Sequence, residues 1–315
     1  MATVTIKQRR DTAADWTAAN PVLAEGEIAV ETDTNLIKIG DGATAWDALA
    51  YGDQGDQGDP GADATSVTSG TSYTIVSGDG TPTQNGTALV NAYNAAKTAT
   101  PYGNALSATN KFTILVGAGT YTIGSQFAVD TDFINILSLD EILSIDLTDG
   151  ILVTADNCHL RGINVGINAF EGCHDAPNLV VENCIGWFDS FSGTTLDGTQ
   201  EISGTFIDCL SLAGSSFGYF SIASGTFINC ASGDDSFGRD GDASGTFIDC
   251  TAGRDSFGYD AAASGTFTNC TAGGFSFGNS NSDDASGTFV GCTGGLLSFG
   301  VGIGDASGTF IDCTG

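Results

Sequence analysis

Positive charge is scarce in this chain: nine Lys and Arg stand against 38 Asp and Glu, a formal net charge of −29 at pH 7. Phosphate recognition needs a basic stripe, and among these few cations only Arg9 and Arg10 are neighbours, so nucleic acid is excluded as a partner. An anionic membrane or capsule would be repelled as well. Neutral sugars, or groups bridged by divalent cations, are what such a surface tolerates. Long apolar runs are also missing, and none approaches the roughly 18 residues of a membrane span. The N-terminal MATVTIKQRR has no apolar signal core, which points to synthesis in a cytosol without membrane insertion.

What is abundant is glycine, 45 of 315 residues, together with Ser and Thr. The chain is 41% hydrophobic and only 15% charged, too apolar for disorder, and its richness in turn residues suits short strands. It reads as mainly β, and it is long enough for two or three packed units without metals or disulfides. Nine Cys is an odd count, and most recur at repeat spacing, so reduced thiols inside a core are expected rather than a disulfide framework.

Residues 1–51 form a small β-rich domain in this reading. Thr3 to Lys7, Glu27 to Glu31 and Leu36 to Ile39 alternate as strands do, and Asp15 to Asn20 is a short helical turn stopped by Pro21. Residues 52–61 place glycine at every third position (Gly52, Gly55, Gly58, Gly61), the period a collagen triple helix needs at its axis. A polar linker then leads to an amphipathic helix over Gly86 to Lys97, within a linker and capping segment of residues 62–110. From Lys111 the pattern becomes strand, Gly turn, strand, and residues 111–315 are assigned to a parallel β-helix.

The order Gln8-Arg9-Arg10-Asp11-Thr12-Ala13-Ala14-Asp15-Trp16, Asn20-Pro21-Val22-Leu23-Ala24-Glu25-Gly26-Glu27, Glu31-Thr32-Asp33-Thr34 and Lys38-Ile39-Gly40-Asp41-Gly42 carries a resemblance. It resembles the N-terminal domain shared by phage tail fibres, phage hyaluronidases and major tropism determinants, across residues 3–51. The resemblance implies attachment of a trimeric fibre to a virion tail, with tail or baseplate proteins as partners. Collagen-like segments often follow this domain in phage fibres. The helix and the Gly119-Thr120-Tyr121 strand resemble the opening coil of pectate-lyase-like β-helices and tailspikes, which implies a right-handed solenoid.

From residue 203 the chain repeats Ser-Gly-Thr-Phe-x-x-Cys and then Ser-Phe-Gly. The first motif recurs at Phe206, Phe227, Phe247, Phe267, Phe289 and Phe310, in steps of 21, 20, 20, 22 and 21 residues. The second recurs at Phe217, Phe237, Phe257, Phe277 and Phe299. A period of 20–22 residues fits one coil of a parallel β-helix, with coils about 4.8 Å apart. Adjacent strand residues point to opposite sides, so Phe and Cys are assigned inward and Ile207, Ile228, Ile248, Val290 and Ile311 outward. The bend falls at the Asp or Asn before each Cys. The outward apolar ladder is the expected interface of a homotrimer, whose three chains at −29 each would carry −87. Cys158 and Cys184 read as earlier members of the ladder, and the sequence stops mid-coil, as though the natural chain continued.

Three sets of candidate site residues follow. Cys158-His159 and Cys173-His174 are set aside as metal or thiol–imidazole pairs because neighbours on a strand cannot converge; no cofactor is expected beyond a divalent cation. Asp189, Asp197 and Glu201 lie where one coil widens to 25 residues between Cys184 and Cys209, beside Trp187 and Phe188, and would suit glycoside hydrolysis. Tyr219, Phe220, Arg239, Asp240, Tyr259 and Asp260 occupy the variable segment after each Ser-Phe-Gly, which stacks along one edge as a ledge for a host-surface glycan. The expected function is that of a structural tail-fibre or tailspike protein that contacts the host. The alternative is a polysaccharide depolymerase.

Overall fold

The computed structural model describes residues 9–51, 72–140, 145–165, 170–187, 190–191, 200–218, 220–278, 284–300 and 306–315. The chain divides into two compact units, Met1–Ala62 and Asp63–Gly315. The Thr3 to Lys7 strand and the glycine-periodic segment lie outside the described residues.

In the first unit Arg9–Asp11 pairs parallel with Ile28–Glu31, which pairs antiparallel with Ile37–Ile39. Helix α1 (Ala13–Ala19) starts where Thr12 accepts the Asp15 N–H and stops at Asn20, left-handed at φ 37°, before Pro21. Its Trp16 stacks on Trp46 at 4.5 Å, and these rings with Leu23, Ala29 and Leu49 form the core. Lys38 is buried too, which its place in an alternating strand did not foretell. Its Nζ donates to the Trp46 carbonyl at 2.7 Å and sits 4.7 and 4.2 Å from the rings of Trp46 and Tyr51, so desolvation is offset by cation–π contact.

The second unit is a parallel β-solenoid. Its main face is an 11-stranded sheet that runs from Tyr73–Val76 to Thr309–Ile311 in coil order. The other faces are a 5-stranded sheet and shorter ladders, which thin to single bridges in the regular repeats. Helix α2 (Pro82–Ala96) packs on the first strands and buries Leu89, Tyr93 and Ala96, the face read from the sequence. It starts four residues earlier than Gly86 because Thr81 and Gln84 form a capping box with Pro82 in the first turn. Gly86 is tolerated there because any Cβ would collide with the Thr122 carbonyl.

Register confirms the repeat. Phe206, Phe227, Phe247, Phe267, Phe289 and Phe310 are paired in succession, and their rings stack at 4.8–5.2 Å. A second stack, Phe217, Phe237, Phe257, Phe277 and Phe299, runs beside it at 4.7–4.9 Å. Rings of the two stacks meet edge to face, at 87° for Phe247 and Phe257, so every edge has an electron-rich face opposite it.

The predicted bends are present. Asp208, Asn229, Asp249, Asn269 and Asp312 all have φ between 51° and 54°. Asp and Asn alternate along this corner, and the Asn229 and Asn269 amides donate to Asp208 and Asp249 at 2.6 and 3.1 Å. The alternation keeps carboxylates from stacking on carboxylates at the coil spacing. Each Cys then turns inward, and its thiol donates to a carbonyl one coil back, Val181 for Cys209 at 3.3 Å and a Phe from Cys230 onward, as Cys250 does to Phe227 at 3.4 Å. All nine thiols are free.

One reading is corrected. Cys184 follows the strand Val180–Glu182, whereas Cys158 precedes His159–Arg161, so with His159 opposite Val180 it is Ile163 that stands in the ladder position. The thiol ladder begins at Cys184. Spacing to the next Cys could not reveal this, because the irregular coils put their turns elsewhere.

Candidate functional site

The Ser-Phe-Gly motif makes the corner from which the variable side chains project. At this corner in the coil of Phe237 three residues are left-handed, Asp235 (φ 61°), Phe237 (φ 54°) and Gly238 (φ 76°). A bulky residue in that region costs about 1–3 kcal/mol, which burial of its ring, at about 1.5–3 kcal/mol, and the stacking offset. The serine turns inward as well: Ser236, Ser256 and Ser276 are buried, and each Oγ accepts the serine N–H of the preceding coil at 3.2–3.4 Å. With serine and phenylalanine directed inward, the residues flanking them are left to face outward.

There the structure brings together four of the six ledge candidates. Arg239 reaches back to Asp235 at 3.0 Å, across to Asp240 at 2.8 Å and up to Asp260 of the next coil at 4.0 Å. Its guanidinium lies 5.5 Å from the centroid of the Tyr259 ring. Phe220 is half-buried one coil earlier, and Tyr219 lies outside the described residues.

The sequence reading stopped too soon, because the cluster continues on the other side of the motif. Arg254 pairs with Asp255 at 3.6 Å and covers Phe275 at 5.3 Å, while its backbone N–H donates to Asp234 at 2.7 Å. Phe275 meets Tyr259 edge to face at 6.4 Å. Next in this column are Leu296 and Leu297, 76% and 42% exposed. Immediately before Ser-Phe-Gly, Asp235, Asp255 and Phe275 stack just as Arg239 and Tyr259 do immediately after it, and that symmetry was the available signal. Burial holds Asp235, Asp240 and Asp255 above the usual carboxylate range, with Arg239 opposing it at the first two and Arg254 at the third.

Of the three hydrolase candidates only Glu201 is among the described residues. Asp189 and Asp197 lie outside the described residues. Glu201 is exposed; its carboxylate accepts from Ser224 at 3.1 Å, and its N–H donates to Asp175 at 3.3 Å. Asp175, not singled out in the sequence, also pairs with His174 Nδ1 at 3.0 Å. Cys173 and Cys158 are buried, while His174 and His159 face away from them, His159 towards Glu182 at 2.9 Å. Among the described residues no group of three or more His, Cys, Asp or Glu is placed to hold a metal ion.

On the main sheet Ile207, Ile228, Ile248 and Val290 form one outward half-buried column, interrupted by Thr268 and ending at Ile311, which is 48% exposed. Thr205, Thr226, Thr246, Thr266, Thr288 and Thr309 form the column beside it. These two columns carry no charge, although the chain has 38 carboxylates. Among the described residues no helix is long and apolar enough to cross a membrane.

Comparison with known proteins finds one family model, described as the major tropism determinant N-terminal domain, that matches residues 6–44. No curated protein and no solved structure matches the chain.

Proposed function

We propose that this protein is a structural component of a bacteriophage tail, attached to the virion through its first unit and contacting the bacterial surface, at a glycan, through its solenoid. The observation that carries the reading is the match of residues 6–44 to a major tropism determinant domain, in a chain whose other unit is a β-solenoid. The division of labour within the coil supports it. Phe, Cys and Ser hardly change from coil to coil, while the residue before Ser-Phe-Gly changes from Asp235 and Asp255 to Phe275 and Leu297, as a recognition surface can when the core does not depend on it.

Three copies assemble in this proposal, with the uncharged Thr and Ile columns as the contact between chains and residues 52–61 as a collagen-like joint. These columns, free of carboxylates beyond Glu182 at their start, are where strands of so acidic a protein approach at least cost. Native mass measurement should give three times the 31.9 kDa chain. Replacing both Ile228 and Ile248 by Asp should lower the trimer fraction at least tenfold at equal concentration. In a panel of bacterial strains the protein should adsorb to its host and block infection. A monomeric wild type that adsorbs to no strain would overturn the proposal. Release of new reducing ends from host polysaccharide, abolished by Glu201→Ala, would make the protein a depolymerase instead.

A further inference from the structure

We infer that the ridge formed by Arg239, Tyr259, Arg254 and Phe275 binds an uncharged linear oligosaccharide that lies along the solenoid axis, one sugar unit per coil. The inference deepens the recognition reading above and rests on it.

Periodicity is the first argument. Side chains on successive coils repeat at about 4.8 Å, a distance close to the length of one pyranose unit in an extended glycan, so a repeating ligand can meet equivalent positions coil after coil. The chemistry is that of sugar recognition. Tyr259 and Phe275 offer apolar ring surface to the C–H faces of a pyranose, and the adjacent carboxylates are fixed acceptors for paired hydroxyls. They are fixed because Arg239 holds Asp235 and Asp240 at 3.0 and 2.8 Å, so little side-chain order is lost on binding.

Charge then selects within the sugars. Arg239 is already engaged by Asp235, Asp240 and Asp260, and Arg254 by Asp255. With Asp234 also present, five carboxylates surround two guanidinium groups, which repels uronic or sialic acids and phosphorylated sugars. A basic amphipathic peptide would satisfy that charge too. The repeat spacing and the paired acceptors favour the glycan.

The test titrates the purified protein, followed by saturation-transfer NMR, with size-graded neutral oligosaccharides from dextran, mannan and galactan. Alginate and pectate fragments serve as acidic counterparts and a Lys-rich amphipathic peptide as the competing class. At least one neutral series should bind, its affinity rising up to about four units, the number of coils spanned from Arg239 to Leu296, and then levelling off. Acidic fragments of equal length should bind at least tenfold more weakly. Tyr259→Ala and Phe275→Asn, the latter kept compatible with a left-handed backbone, should each weaken binding about tenfold or more, and Thr251→Ala on another face should not. Equal or tighter binding of the acidic series overturns the inference, as does preference for the peptide or indifference to both ridge variants. Whole-cell adsorption separates the two levels: a protein that adsorbs to host cells yet binds no neutral oligosaccharide refutes the ligand class alone, and one that adsorbs to no strain refutes the recognition reading.

Discussion

The reactivity of each thiol follows from its place in the stack. Burial pushes Cys158 up to about 12 and holds Cys173, Cys184 and Cys230 well above the ordinary thiol range, so at neutral pH they are protonated and unreactive. Parallel neighbours on successive coils also resist the near-perpendicular torsion that a disulfide requires. A thiol reagent should therefore leave Cys158, Cys173, Cys184 and Cys230 unmodified in the native protein and reach all nine cysteines after denaturation without reductant. Rapid native modification of Cys184 or Cys230, or several missing thiols after denaturation, would show the ladder to be misassigned.

At the scale of one coil, the Ser-Gly-Thr-Phe motif is a packing requirement. A Cβ at Gly245 would collide with the Gly225 carbonyl of the coil before, and one at Gly265 with the Gly245 carbonyl. Gly245→Ala should therefore destabilise by about 1–3 kcal/mol, the usual range for overpacking, and denaturant unfolding should show it as a lower midpoint. An unchanged midpoint would mean that the coils are farther apart than the ring stacks indicate. The inside of the coil was readable because period-2 alternation and exact repetition both report on burial: Phe and Cys inward, Ile outward and the Asp or Asn bend are all as the pattern implied. Other features were hidden for definite reasons. Ser236 and its equivalents look like turn residues until their inward hydroxyls are seen, and the left-handed Phe237 contradicts ordinary preference because stacking overrides it. The corner cluster was half seen, since Arg239 and Tyr259 fall in an evidently variable segment while Asp255 and Phe275 adjoin a motif that looks purely structural.

For the whole molecule the pH profile follows from the carboxylates. Asp235, Asp240 and Asp255, raised by burial, destabilise the folded state once ionised, and that cost disappears as pH falls through their folded values. Asp130, lowered by its bond to Lys97, and Asp149, lowered by the Gly124 and Ile123 N–H groups, do the reverse: they stabilise above the unfolded carboxylate range, and the gain is lost below it. With a net charge of −29 adding general repulsion, the melting temperature should rise from pH 8 to about pH 5 and fall below about pH 4. A flat profile over that range, or a maximum at pH 8, would contradict these assignments.

The equivalence of the coils also gives the gene a freedom that most folds deny it. Because Phe227, Phe247 and Phe267 meet identical neighbours above and below, recombination between two repeats in register would add or delete a whole unit and leave every ladder continuous. Each such event changes the length of the rod by about 4.8 Å. It also moves the variable corner residues past one another as a block, so length and surface sequence can change in one genetic step while the interior keeps its pattern.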